Sequence, residues 1–219
     1  MLTQLHRLRY EVYCHEMGYL LPENFKVPLE QDQYDSISTH FYAKSFDGHL
    51  IGTARLINPV IKDPHYAQYC AYSENELLPP SEEVAEVSRL VLPPEIRRGT
   101  RRQDFEIGTL SAENILLVEV CPAPPDDLLG AYHGASSFVL LGLFRAMYHH
   151  SLRTGVKHWA AGMSPLLARL IKKMGFEFEK KGPLNEAENI ALYFASLAKM
   201  EDVLAIKNKK LLNWMQSGN

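Results

Sequence analysis

Two charges sit three residues apart in an otherwise apolar stretch: Glu86 and Arg89, within segment 84–92. That segment is rich in β-branched and aliphatic residues and reads as a strand. Burying either charge alone is costly, so each needs a partner or a task. Pro93 and Pro94 end the strand, and an Arg97-Arg98-Gly99-Thr100 turn follows. A strand with paired charges running into a basic glycine turn suggests a phosphate-bearing ligand approaching a sheet, its oxygens received by turn amides. A regular strand sends side chains three apart to opposite faces. If Glu86 and Arg89 serve one site, an irregularity is predicted between them.

Charges of the same kind recur upstream. Arg55 stands in the middle of a strand at 50–58, where alternation puts Thr53, Arg55 and Ile57 on one face and Gly52, Ala54 and Leu56 on the other. Arg9 and Tyr13 are four apart and share a helix face. A loop marked by Pro22 and Pro28 carries Glu30, Asp32 and Asp35, and by spacing alone reads as a solvated acidic turn. Three acids (Asp32, Asp35, Glu86) balance three arginines (Arg9, Arg55, Arg89). The balance suits a substrate cleft, or an ion network tying the N-terminal helix and loop to the sheet. The nine histidines show no metal-ligand spacing.

The elements that must position these residues follow from periodicity. A helix is predicted over 2–15 and ends at Gly18; strands at 39–45 and 50–58 flank an Asp47-Gly48 hairpin turn. Segment 59–83 is a long excursion with a short helix near 75–78. Segment 100–135 resists assignment and reads as an insert or lid. A helix over 136–154, capped by Ser136 or Ser137, ends at Gly155, with His149 and His150 at its favourable C-terminal end. Then come a strand at 157–163, a helix with Ser164 as cap and Pro165 first, strands at 176–180 and 190–196, and one last helix over 200–215. Helices on a mixed sheet make one α/β (α+β) domain over 1–219.

Bulk properties set the class. A chain of 219 residues, 46% hydrophobic and 22% charged, is long enough for one well-cored soluble domain. A net charge of −3 gives no reason to expect a nucleic-acid partner. No apolar run approaches the roughly 18 residues of a membrane span, and no signal-peptide pattern opens the chain. Cys14, Cys70 and Cys121 read as free thiols in a reducing compartment, so the expected location is cytoplasmic.

Taken in order, these positions resemble the acyl-homoserine lactone (autoinducer) synthases and the N-acyl amino acid synthases. More closely they resemble the acyltransferases associated with the PEP-CTERM/exosortase system; all are of the GNAT acyltransferase fold. The resemblance is carried by Leu-Arg-Tyr-Glu-Val-Tyr-Cys-His-Glu-Met-Gly-Tyr at 8–19, Asp-Gln-Tyr-Asp at 32–35, Ile-Gly-Thr-Ala-Arg-Leu-Ile at 51–57 and Glu-Val-Ser-Arg-Leu at 86–90. The Leu-Gly-Leu-Phe helix at 141–144, His158-Trp159 and the segment ending in Met-Gly-Phe at 174–176 complete it.

The resemblance implies a mixed, mostly antiparallel twisted sheet flanked by helices, with a splayed central strand. It implies transfer of a fatty acyl group from an acyl-carrier-protein or CoA thioester to the amine of an amino-acid-like acceptor, with the acyl-phosphopantetheine as co-substrate and no resident cofactor. Glu86, Arg89 and Arg55 fall in catalytic positions, and Arg9, Tyr13, Tyr19, Asp32 and Asp35 in acceptor-binding ones. Tyr19 departs from the lactone synthases, which carry tryptophan there. Backbone N–H groups at Leu90, Val91 and Leu92 would face the thioester carbonyl, and Arg97 and Arg98 the pantetheine phosphate or an acidic carrier protein. No Ser-His-Asp or Cys-His constellation is legible, which disfavours a covalent acyl-enzyme. A lactone-forming synthase and a non-catalytic acyl-pantetheine-binding module are the alternatives.

Overall fold

The N-terminal helix keeps its expected extent but changes its winding. Helix α1 (Leu2–Tyr10) buries Leu5, His6, Arg9 and Tyr10, and the chain continues as a π-helical segment, Glu11–Glu16. There the Met17 N–H reaches the Val12 carbonyl at 2.8 Å, five residues back. Gly18, at φ 63°, ends the winding. This computed structural model describes residues 1–60, 64–69, 78–98, 105–110, 116–120 and 135–218. They fall into two compact units: residues 1–55 with the described part of 89–146, and residues 56–88 with 147–218. The fold is mixed α/β, with mostly antiparallel strands flanked by helices.

In the first unit, β1 (Ser38–Ser45) and β2 (Leu50–Ile57) form the expected hairpin, turning at Gly48 with φ 94°. Two further strands, β4 (Phe105–Leu110) and β5 (Leu116–Val120), arise in the stretch that the sequence left unassigned. The order is β5-β4-β1-β2, with β1 antiparallel to β4 from His40 opposite Leu110 to Ser45 opposite Phe105. Helix α4 (Ala135–Thr154) lays its first half on β2: a Cβ on Gly52 would meet Val139 at 2.6 Å. That is the Gly52–Ala54 face, so Arg55 projects from the other side of the strand. Ahead of β4, Pro94–Arg98 forms a short helix, α3, running into the turn read at 97–100.

The second unit holds α2 (His65–Tyr69), the first half of β3 (Val84–Val91), β6 (His158–Met163), β7 (Glu179–Lys180) and β8 (Ala191–Ser196), in the order β3-β6-β8-β7. β3 pairs in parallel with β6 through Val84–Glu86, and β6 pairs antiparallel with β8. Tyr66, Val84, Ala160, Leu192 and Phe194 form a core cluster here. Helix α5 (Pro165–Lys173) starts as read, with the Ser164 hydroxyl accepting from the Leu167 N–H at 3.2 Å.

Two readings are corrected in this unit and a third is refined. The strand at 176–180 shrinks to Glu179–Lys180, with Phe176 and Phe178 buried ahead of it and Phe178 stacking on Trp159. The last helix is two, α6 (Leu197–Lys207) and α7 (Lys209–Gln216); Asn208 leaves helical space at φ −155° and caps α7 through the Leu211 N–H at 3.0 Å. His149, read only as favourably placed at the helix end, is buried, and its Nε2 meets the Met215 carbonyl at 2.6 Å. The short helix expected near 75–78 falls almost wholly outside the described residues; the described one is α2. Among the described residues no helix is long and apolar enough to cross a membrane.

Candidate active site

Five of the charged residues singled out in the sequence converge in the first unit. Arg9 of α1 donates to Asp35 at 2.8 and 3.2 Å and to Glu30. Arg55 of β2 donates through one Nη to Asp32 at 2.7 Å and Asp35 at 2.8 Å, and through the other to Asp32 at 3.0 Å. Arg89 of β3 reaches Glu30 at 3.0 Å and Asp32 at 2.8 Å. The Asp35 carboxylate also accepts the Asp32 N–H at 2.9 Å, and Asp32 accepts the Tyr34 N–H at 2.9 Å, so the loop is wound around its own acids.

Arg9 and Arg55 are fully buried, and Glu30 is 2% exposed. Such a desolvated set survives only because the charges balance and the forks are filled. The third acid of the network is Glu30. The sequence pairing had put Glu86 there and had read the loop as a solvated turn. Phe25 packs edge-on against Tyr10 at 5.6 Å, and the Glu30 N–H donates to the His6 carbonyl at 3.0 Å, which pins the loop to α1. A polar residue following Pro28 and Leu29 was the available signal.

The electrostatics follow from this packing. Burial works against the Asp35 carboxylate, but hydrogen bonds and charge from Arg9 and Arg55 hold it well below the ordinary range. Asp32 is likewise lowered, burial being outweighed by Arg55 and Arg89. Burial opposes the Arg9 and Arg89 charges too, yet their carboxylate partners raise both. Two buried histidines flank Asp35: His6 Nε2 lies 3.6 Å from its carboxylate, and His40 Nε2 lies 3.3 Å from its carbonyl oxygen. Burial pushes His40 down to about 4 and lowers His6, with the arginines adding to the effect.

The predicted irregularity in β3 is at Arg89 itself. Its φ is 50°, left-handed backbone that a non-glycine residue rarely adopts and that costs on the order of 1–3 kcal/mol. Here the guanidinium is held by Glu30 and Asp32 and stands over the Tyr13 ring, 5.8 Å from its centroid. Tyr13 lies on the π-helical segment, a distortion that recurs at functional sites. Tyr19 stacks on Tyr13 at 6.4 Å and is 72% exposed. The two aromatics therefore run from the buried arginine to solvent.

Leu90 and Leu92 are half-buried, and Val91 is buried. Arg97 is engaged by Glu16 and by the Leu92 carbonyl at 2.9 Å, while Arg98 is exposed. Glu86, in the second unit, is 7% exposed and its Oε1 meets His65 Nδ1 at 2.7 Å. His65 belongs to α2, in a stretch without periodicity, and no spacing pointed to it. Among the described residues no group of side chains could hold a metal ion.

Residues 8–103 match the family model described as an acetyltransferase (GNAT) domain. An acyl-homoserine-lactone synthase of Vibrio anguillarum is 25% identical over 203 residues, covering 87% of this chain and 84% of that protein. Among solved structures, TofI in a ternary complex with an inhibitor and MTA superposes with a TM-score of 0.59 at 15% identity, covering 95% of this chain and 91% of that one. BjaI, a CoA-dependent acyl-homoserine lactone synthase held with SAM and isopentyl-CoA, superposes with a TM-score of 0.56 at 17% identity over 93% and 80%. The fold is thus that of the GNAT-like acyl-homoserine lactone synthases, and the chain is related to an acyltransferase family in sequence.

Proposed function

We propose that residues 1–219 act as one acyltransferase domain that moves a fatty acyl group directly from an acyl-carrier-protein or CoA thioester to the amine of an amino-acid-like acceptor. One observation carries this reading: Arg9, Glu30, Asp32, Asp35, Arg55 and Arg89 close into a single balanced network beside Tyr13 and Tyr19. Among these, the resemblance puts Arg9, Tyr13, Tyr19, Asp32 and Asp35 in acceptor-binding positions and Arg55 and Arg89 in catalytic ones. Arg9 and Arg55 fix Asp32 and Asp35, while the partly exposed Arg89, Asp32 and the two tyrosines receive the acceptor.

Glu86 takes the amine proton, contributing on the order of 10²-fold. Backbone N–H groups at Leu90, Val91 and Leu92 polarise the thioester carbonyl, each such donor being worth about 3 kcal/mol. Arg98, and Arg97 once released from Glu16, would meet the pantetheine phosphate or an acidic carrier protein. An amino-acid-like acceptor and a cytoplasmic location are what the sequence resemblance to exosortase-associated acyltransferases implies.

The test is mass spectrometry of lipid extracts from cells expressing the wild type and Glu86→Gln. The expected result is an N-acyl amino acid present with the wild type and lost in the variant. Extracts that match the vector control, with the carrier protein co-expressed, would overturn the reading in favour of a binding module. The similarity to the Vibrio anguillarum synthase favours a second reading, a lactone-forming enzyme with a SAM-like acceptor. An acyl-homoserine lactone in the same extracts would establish it.

A further inference from the structure

Glu86 is buried, yet only one of its carboxylate oxygens is bound. Oε1 is held by His65 Nδ1 at 2.7 Å; Oε2 is shielded from solvent and has no hydrogen-bond partner among the described residues. Buried carboxylate oxygens are ordinarily paired, and an orphan oxygen calls for a task. His65 is itself 7% exposed and opens α2 directly after Pro64. The next residue, Tyr66, packs edge-on against Phe194 at 5.4 Å and belongs to the core cluster with Val84, on the same strand as Glu86. The imidazole therefore has a rigid support on the element that carries its partner.

We propose that His65 is the positioning residue of the acyl transfer: by donating its Nδ1–H to Oε1 it fixes the Glu86 carboxyl and leaves Oε2 as the proton-accepting atom. The inference rests on the acyltransferase reading above. In the step, the acceptor nitrogen bonds to the thioester carbon and the C–S bond breaks. The nitrogen proton passes to Glu86 Oε2; the C–S electron pair leaves on the pantetheine sulfur, which takes a proton from solvent and departs as thiol. Fixing one oxygen holds the other within reach of the proton, and loss of such orientation costs rate, not affinity.

The experiment measures thiol release by the purified full chain. Acyl-CoA and acyl-carrier-protein probes, from butanoyl to hexadecanoyl, are each offered with the proteinogenic amino acids and S-adenosylmethionine. His65→Leu removes the donor, and His65→Asn keeps an N–H near the Nδ1 position. The expected result is a kcat lowered about tenfold in His65→Leu with KM unchanged, and largely restored in His65→Asn. In a Glu86→Gln background, His65→Leu should cost nothing further, since the two act as a unit. Full activity in His65→Leu, or an additive loss in the double variant, overturns the role of His65 while leaving the acyltransferase reading intact. Equal losses in Leu and Asn, with a matching fall in melting temperature, overturn it as well, in favour of a packing role. No thiol release by the wild type with any pair overturns the parent reading, and this inference with it.

Discussion

The arginine–carboxylate network and the Glu86–His65 pair are both buried and polar, but they are finished differently. In the network all six carboxylate oxygens of Glu30, Asp32 and Asp35 have a donor, and every acid is shared between two arginines or between an arginine and a backbone N–H. In the pair, one oxygen of Glu86 is held and the other has no partner among the described residues. A satisfied set resists protonation and rearrangement, which suits a frame; a half-satisfied carboxylate keeps an acceptor in reserve, which suits proton transfer. On the proposed reading labour is divided, with binding geometry in the network and the reactive atom in the pair.

The largest effect should come from breaking the frame. Arg55→Met leaves Asp32 and Asp35 under-compensated in a buried setting, and loss of one partner from such a group costs about 3–5 kcal/mol. Urea unfolding of the variant measures it; an unchanged midpoint would mean that the network is not the frame claimed here. Glu86→Gln should invert the pattern. It keeps a side chain of the same shape, so the melting temperature should stay near that of the wild type, while kcat falls about 10²-fold or more. Were stability to fall as far as in Arg55→Met, the division between frame and chemistry would fail.

What the sequence disclosed of this division was uneven for physical reasons. Arg9, Arg55 and Arg89 were visible because charges in apolar strands and helix faces violate a local pattern, whereas Asp32 and Asp35, in the same loop as Glu30, were picked out by the resemblance. A period of two led to the expectation of an irregularity between Glu86 and Arg89 if both serve one site, and the positive φ of Arg89 falls at the end of that stretch. Glu30 and His65 broke no pattern: one lay in a loop that looked solvated, the other in a stretch without periodicity, and only tertiary contacts gave them partners. Strands β4 and β5 were missed although they pair locally, Leu110 opposite Leu116, and the alternation of Phe105, Ile107 and Thr109 was there to be read; only the seating of β4 on β1 is non-local. The π-helical winding at Glu11–Glu16 and the break at Asn208 hinge on single residues inside otherwise continuous helical patterns.

Acid should probe the frame in two separate windows. His40 is buried beside Asp35, Arg9 and Arg55, with His6 facing it at 6.2 Å, and its pKa is pushed down to about 4. Below its ordinary value of 6.5 the unfolded chain takes up a proton that the folded chain refuses, so stability falls with pH until about 4 is reached. Between pH 6.5 and 5 the loss from His40 is about 2 kcal/mol; lowered His6 adds to it in the same direction. Depressed Asp32 and Asp35 act later, their contribution lost only as pH drops below the ordinary aspartate value of 3.8. His40→Gln should flatten the first window and leave the second. Chemical unfolding across pH checks this, and an unaltered slope between 6.5 and 5 would remove His40 from the account.

The smallest effect should fall on the exposed end of the binding side. Tyr19 is 72% exposed and stacks on Tyr13, whose ring carries the Arg89 guanidinium. An aromatic stack of this kind is worth about 0.5–1.5 kcal/mol. Tyr19→Ala should therefore raise the acceptor KM by about tenfold or less with little change in kcat, and Tyr19→Trp, which keeps a stacking face, should recover most of it. Tyr13 is the sharper control, because its ring is sandwiched and its hydroxyl pKa is raised by burial; Tyr13→Ala should cost more than Tyr19→Ala, again in KM. Steady-state kinetics on the acceptor identified from the lipid extracts would separate the two constants. A fall in kcat for Tyr19→Ala as deep as that for Glu86→Gln would mean that the aromatic end takes part in the chemical step, and the separation of binding from proton transfer would have to be given up.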